Sequence, residues 1–210
     1  MSSVVKEIKE WFNKTRLNKI IRALQERNYE VFYIRNKEEA LDLVMGMIPY
    51  QSTVGTGGSM TIKEIGILDA LESGEYKFYN QYRSGLSDEE SKEMRTKGLL
   101  TDYYVTGTNT ITTNGELINL DGFGNRVAVI TYGPKKVIIV VGINKFVETI
   151  DEGIHRVRNY AAVLNSRRFN PTLPCANTGK CEDCNSVDRI CNHLLITYRQ
   201  HRKGRDSIVW

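Results

Sequence analysis

The chain has 210 residues, 40% of them hydrophobic, enough for one α/β-sized core with at most a small appendage. Charged residues make up 26% and the formal net charge is only +4, which argues against a polybasic nucleic-acid binder. No apolar run approaches the ~18–20 residues of a membrane span, and charges interrupt the N-terminus too often for a signal peptide, so the expected location is cytoplasmic.

The N-terminal segment, residues 1–28, places Val5, Ile8, Trp11 and Phe12, then Leu17, Ile20, Ile21 and Leu24, at helical spacing. One or two amphipathic helices ending near Asn28 are predicted. Residues 29–34 read as a strand, and 36–48 as a helix stopped before Pro49. A short strand at 52–54 then leads into a glycine-rich turn. Thr61 and Glu64 have capping-box spacing, which predicts one helix running to Gly74. Residues 75–98 read as a surface strand plus a helix, and 102–107 as a strand. Asn114-Gly115 predicts a hairpin with a two-residue type I′ turn. A loop, Asp121-Gly122-Phe123-Gly124-Asn125, follows. Residues 133–142 are a turn and then an apolar strand of the kind buried on both faces of a parallel sheet. Residues 147–166 carry a helical apolar stripe, and 193–199 and 207–210 read as strands. Trp210 falls inside that final strand, which suggests a truncated chain and leaves one sheet edge open to question.

All four cysteines lie within the spacing C-x5-C-x2-C-x6-C: Cys175, Cys181, Cys184 and Cys191. Thiolates so close in sequence can surround one centre, whereas disulfide frameworks usually spread cysteines to cross-link distant loops. Tetrahedral zinc and a [4Fe–4S] cluster both accept four thiolates. The unbroken string is closer in style to a cluster loop than to a ribbon of two C-x2-C pairs, and zinc stays as the alternative. Such a centre either carries electrons or only pins the C-terminal lobe.

Two glycine loops are candidate ligand sites. Gly55, Gly57, Gly58, Ser59 and Thr61 sit between a strand and a helix, where backbone N–H groups can meet an anion. The loop matches neither Walker A nor GxGxxG, and a tight packing turn explains it equally well. In the second loop, Arg126 can grip a carboxylate or phosphate and Asp121 can orient it or move a proton. Asn109 and Asn125 read as ligand-binding or as loop-bracing residues. Lys145 follows a buried strand, where open α/β sheets place ligand contacts. Glu116 is an acidic candidate without a motif. His155, His193 and His201 form no triad pattern. The basic tail Arg199, Arg202, Lys203 and Arg205 reads as a solvated surface.

The strings VGTGGSMTIKEIG, TGTNTITTNGELINLDGFGNRVA, YGPKKVIIVVGINK and PCANTGKCEDCNSVDRICN together resemble the lactate-utilization (LUD) domain family, from about residue 12 onward. The resemblance implies a fold similar to the sugar-phosphate isomerase and CoA-transferase superfamily. That fold is α/β, an open, mostly parallel sheet with helices on both faces. The complete cysteine string resembles the cluster-bearing branch, some of whose members belong to an iron–sulfur complex that oxidises lactate. By fold analogy, residues 55–59 stand where the isomerases cradle a sugar phosphate. No counterpart of the CoA-transferase glutamate is evident.

The expected organisation is a helical segment (1–28), an α/β core (29–173), a four-cysteine knot (174–192) and C-terminal strands completing the core (193–210). The expected function is binding of a small carboxylate or phosphate ligand beside a [4Fe–4S] cluster in the oxidation of lactate or another 2-hydroxy acid. The alternatives are an accessory subunit with a structural cluster or zinc, and an isomerase or transferase acting on a phosphorylated or CoA-linked substrate. Expected partners are a small anionic ligand, an iron–sulfur oxidoreductase subunit and a second copy in a homodimer, with no nucleic acid.

Overall fold

The computed structural model describes residues 3–210. The first two residues of the expected N-terminal segment lie outside the described residues. The chain opens with α1 (Ser3–Glu26), β1 (Glu30–Phe32), α2 (Lys37–Gly46), β2 (Thr53–Thr56), α3 (Met60–Glu64) and α4 (Ile67–Ser73). Then come β3 (Lys77–Tyr79), α5 (Asp88–Gly98), β4 (Tyr103–Gly107), β5 (Thr110–Thr112), β6 (Leu117–Asp121), α6 (Asn125–Thr131) and β7 (Lys136–Val140). A 3-10 turn (Ile143–Lys145) leads to β8 (Phe146–Val147). One continuous helix follows, made of α7 (Ile150–Arg156), a π-helical turn (Val157–Ala161) and α8 (Ala162–Phe169). α9 (Pro174–Thr178), β9 (His193–Thr197) and β10 (Asp206–Val209) complete it.

Six strands form a parallel sheet in the order β1-β10-β7-β4-β2-β3. Its pleat explains the apolar runs. Successive side chains leave a strand on opposite faces. Tyr104, Val137, Ile139 and Ile208 therefore enter one buried cluster with Ile20 and Leu24 of α1. Val105, Ile138, Val140 and Val209 enter the other, with Val44 of α2 and Leu71 of α4. Fully burying each such aliphatic side chain is worth about 1.5–3 kcal/mol. The open, mostly parallel α/β sheet is thus the architecture present. β10 lies inside it, paired with β1 and β7 on its two sides, so it is no edge strand.

A second, four-stranded sheet in the order β8-β5-β6-β9 was not anticipated. β5 pairs antiparallel with β6 and parallel with β8, and β6 pairs antiparallel with β9.

Several local expectations are corrected. The helix after the first glycine loop breaks at Gly66, which takes φ +87° between α3 and α4. Its N-cap is Ser59, whose Oγ accepts from Ile62 N, in place of the Thr61/Glu64 box. A capping box does form at Ser87 and Glu90, at the start of α5. The hairpin is not type I′. Gly115 N donates to Thr112 O (2.9 Å), Thr112 N donates to Glu116 O (2.9 Å), and only Gly115 of the turn has positive φ. That is a three-residue loop built on a tight turn followed by a left-handed glycine. α6 replaces a segment assigned no helix. Arg205 is buried, not solvated. It donates to the carbonyls of Val129, Ile130 and Pro134, holding the end of α6. The expected apolar stripe of α1 is buried at Ile20 and Leu24, whereas Val5, Ile8, Trp11 and Phe12 are exposed.

Candidate functional site

A cavity of about 680 Å3 opens where the parallel strands end at their carboxyl edge. Its wall includes Gly58, Ser59 and Thr61 after β2, Gly107 to Asn109 after β4, Gly142 to Lys145 after β7, and Trp210 after β10. Open α/β sheets commonly bind ligands at this edge. Arg126 of α6 and Arg156 of α7 complete a wall that carries three buried or half-buried cations.

Of the residues singled out from sequence, the cavity brings together Gly58, Ser59, Thr61, Asn109, Arg126 and Lys145. Gly55, Gly57, Asp121 and Asn125 are not on its wall. Gly55 lies within β2, not in the loop, and a Cβ there would sit 2.6 Å from the Tyr104 ring. Gly57 is held by similar crowding, 2.5 Å from Thr106 Oγ1. Two of the glycines therefore serve close packing. Glu116 is not on the cavity wall; it accepts from Thr112 within the hairpin and pairs with Arg27, the residue just after α1 (2.9 Å).

Arg126 is 7% exposed, and both its terminal nitrogens already donate to protein oxygens. One meets Asn119 Oδ1 (2.5 Å), the other Asn109 Oδ1 (2.9 Å) and Leu120 O (2.8 Å). Its fork is thus engaged in bracing the cavity floor, and its charge remains there. Asp121 accepts from the backbone N–H of Arg126 (3.0 Å) and Val127 (3.2 Å), and of Gly122 (2.8 Å). The carboxylate therefore caps the start of α6, a role consistent with the helix dipole. Asn109 also accepts from Leu120 N (2.8 Å), so it is a brace as well as a wall residue.

Lys145 is different. Its Nζ donates to Thr61 Oγ1 (3.2 Å), and among the described residues no carboxylate lies within ion-pair distance of it. Burial, then the charges of Arg156 and Arg126, push its pKa down from 10.5 to about 8. Arg156 donates to the carbonyls of Asn109 (2.9 Å) and Asn144 (3.0 Å) and lies 5.0 Å from the Tyr160 ring centroid. Sequence reasoning missed Arg156. It sits at the end of α7, and no periodic pattern marks it.

The four cysteines are unpaired, half-buried and line a second cavity of about 260 Å3. Arg189, inside the last cysteine gap, donates to Cys184 O (2.8 Å) and Cys191 O (3.1 Å) and lies 3.4 Å from Cys191 Sγ. Ser186 bonds, then Arg189, hold the Cys184 thiol below its usual range. Cys175 Sγ donates to Ser166 Oγ (3.2 Å). Among the described residues no three ligating side chains converge at single-ion geometry. The thiols border a space instead. Four thiols beside a fixed guanidinium are a donor set of the kind a thiolate-ligated centre would use, and that cation would offset its negative charge.

The two cavities share structure. The helix from Ile150 to Phe169 gives Arg156, Tyr160 and Leu164 to the larger one and Arg158 and Ala162 to the smaller. Its π-helical turn lies at this division, a distortion often found at functional sites. Leu120 borders the cysteine cavity while its carbonyl accepts from Arg126. Asn192, next to Cys191, donates to Asp121 O (2.8 Å) and Gly122 O (3.2 Å), docking the knot on the loop that starts α6.

The structure is an α/β fold with a cation-walled cavity at the carboxyl edge of its parallel sheet. The LUD-domain model matches residues 17–209, and the chain belongs to the LUD-domain family, which is linked to lactate utilization. A DUF162 family protein from Deinococcus radiodurans is similar in structure, with 14% identity, TM-score 0.51, and 93% of this chain and 95% of that one covered. That likeness shows the fold. Ribose 5 phosphate isomerase A from Neisseria gonorrhoeae matches 54% of each chain, at 17% identity and TM-score 0.37. The tetrameric eIF2B-beta2-delta2 complex from C. thermophilum matches 97% of this chain and 60% of that one, at 16% identity and TM-score 0.41. No curated protein matches the chain. No helix among the described residues is long and apolar enough to cross a membrane.

Proposed function

We propose that this protein binds a small carboxylate or phosphate in the larger cavity and a [4Fe–4S] cluster in the cysteine cavity, and acts in oxidation of lactate or another 2-hydroxy acid. The observation that carries the reading is a cation-walled cavity and a four-cysteine cavity bordered by one helix. Lys145 and Arg156 meet the anion. Arg126 adds charge and holds the floor. Gly58, Ser59 and Thr61 close the side nearest α3. Family membership supports the 2-hydroxy-acid assignment.

Cys175, Cys181, Cys184 and Cys191 would hold the cluster, which supplies one-electron transfer when bound. All four cysteines line one cavity of about 260 Å3 and, among the described residues, no three ligands converge as around a single ion, which supports a cluster over zinc. The neighbouring groups of this chain act on the ligand: they bind its carboxylate, exclude water and, at Lys145 Nζ, hold or release a proton.

Anaerobic purification with iron, sulfide and zinc analysis, joined to calorimetry with lactate, acetate and phosphate, tests both halves. About four irons and four sulfides per chain, with saturable anion binding, is the expected result. One zinc and no colour removes the electron-transfer role. An accessory role predicts a loaded cluster and bound anion without turnover until an iron–sulfur oxidoreductase subunit is added.

A further inference from the structure

The inner wall of the cavity already holds two buried or half-buried permanent cations, Arg126 and Arg156, with Arg35 exposed on the same wall. For attracting an anion another arginine would serve as well as Lys145. What a lysine adds is an amine that can lose its proton and attack carbon.

The surroundings of Lys145 favour that use. Its backbone is pinned on the 3-10 turn: Lys145 N donates to Gly142 O (3.1 Å), and its carbonyl accepts from Thr110 Oγ1 (2.5 Å). The side chain reaches back across the cavity to Thr61, a hydroxyl that can accept from the ammonium or donate to the neutral amine. Burial and two guanidinium neighbours bring the amine to about 8, so a sizeable fraction is neutral near physiological pH.

We propose that Lys145 condenses with the carbonyl carbon of a small 2-oxo acid whose carboxylate lies against Arg156. This rests on the reading of the cavity as a carboxylate site and names the ligand class it holds. The amine nitrogen attacks the carbonyl carbon, forming C–N as the C–O π bond breaks. The carbonyl oxygen then leaves as water, taking two protons, and the iminium keeps the single positive charge of the starting ammonium. No oxidant or reductant is consumed. Arg156 supplies the counter-charge for the adjacent carboxylate, and Thr61 can pass the proton that the departing oxygen needs.

The test is incubation of the full chain, as purified, with pyruvate and cyanoborohydride, followed by peptide mass mapping. Parallel calorimetry measures pyruvate and acetate binding. The expected result is one 1-carboxyethyl group per chain, on Lys145, suppressed by excess acetate. Lys145→Arg should still bind acetate and gain no adduct. Thr61→Val should slow the adduct several-fold. Pyruvate binding without an adduct on Lys145 in the wild-type chain overturns the proposal and leaves the carboxylate site standing. Adducts spread over surface lysines and unchanged in Lys145→Arg overturn it too. Failure of both pyruvate and acetate to bind removes the carboxylate site and this proposal together.

Discussion

Arg126 donates to the Oδ1 of Asn119 at 2.5 Å, a charge-assisted bond between α6 and β6 sealed away from solvent. Through it the cavity floor, the helix start and the second sheet are one rigid unit. Removing the guanidinium takes its charge-assisted bonds from Asn119 Oδ1, Asn109 Oδ1 and Leu120 O, leaving Asn119 Oδ1 with Thr108 and Asn109 N and leaving Asn109 Oδ1 with Leu120 N. Arg126→Met should therefore cost about 3 kcal/mol of folding stability, read from urea midpoints. Arg126→Lys should recover part of that loss, since one ammonium cannot reach both Asn109 and Asn119. A near-neutral Arg126→Met would show that the fork is free for ligand.

Anion binding should depend on pH through Lys145. The amine is charged below about 8 and neutral above it, so acetate affinity should fall as pH rises through that value. Lys145→Arg should flatten the profile between pH 7 and pH 9. Calorimetry of the two proteins over that range, about a tenfold span in protonation on each side of the midpoint, checks it.

Gly55→Ala should destabilise the sheet by about 1–3 kcal/mol, because its Cβ would meet Tyr104 at 2.6 Å and the Gly98 backbone at 3.0 Å. Anion affinity should be unchanged once the variant is folded, since Gly55 is not on the cavity wall. A loss of affinity with full stability would place Gly55 in the site.

Asp206 carries a pH signature of its own. Burial raises it from 3.8 to about 6 although Arg205 lies at 2.9 Å and lowers it. The folded chain therefore holds a proton that the unfolded chain has released between about pH 4 and pH 6. This contribution is full below that window and is lost as pH rises through it, on the order of 3 kcal/mol. Asp206→Asn should remove that slope from the stability profile. Chemical denaturation of both proteins at pH 4, 5 and 6.5 reads the difference.

Arg189→Ala should loosen the cysteine knot, since it removes bonds to the carbonyls of both Cys184 and Cys191. In metal-free protein, alkylation of those two cysteines should quicken several-fold, with the main sheet unaffected by circular dichroism. Unchanged alkylation would mean that Arg189 is not what organises the loop.

Much of the main sheet was legible because its signals are local. The run around Ile138 alternates between two cores, and any strand buried on both faces must read as continuously apolar. The second sheet was hidden because β5 meets β8, and β6 meets β9, across long stretches of chain. α6 was hidden for another reason: Val127, Val129 and Ile130 favour strands, and its capping carboxylate, Asp121, lies beyond the usual cap position. Lys145 and the four cysteines could be singled out from the sequence, and each lines a cavity. That Arg126 and Asp121 are spent on protein groups is set by tertiary contacts that no spacing encodes. Arg189 did carry a sequence signal, a lone arginine within the cysteine string, which was passed over.

The position of β10 has a consequence for how the chain is made. Residues 206–209 emerge from the ribosome after every other strand described here, yet they fill the space between β1 and β7, and Ser207 meets Glu30 across 177 positions. Until then β1 has no sheet partner, and the apolar edge of β7 is bare. The nascent chain must therefore keep a slot open from the synthesis of β1 until β10 emerges. Such long-range closure slows folding and exposes an aggregation-prone edge. Demand for chaperone protection during translation should be concentrated in that interval.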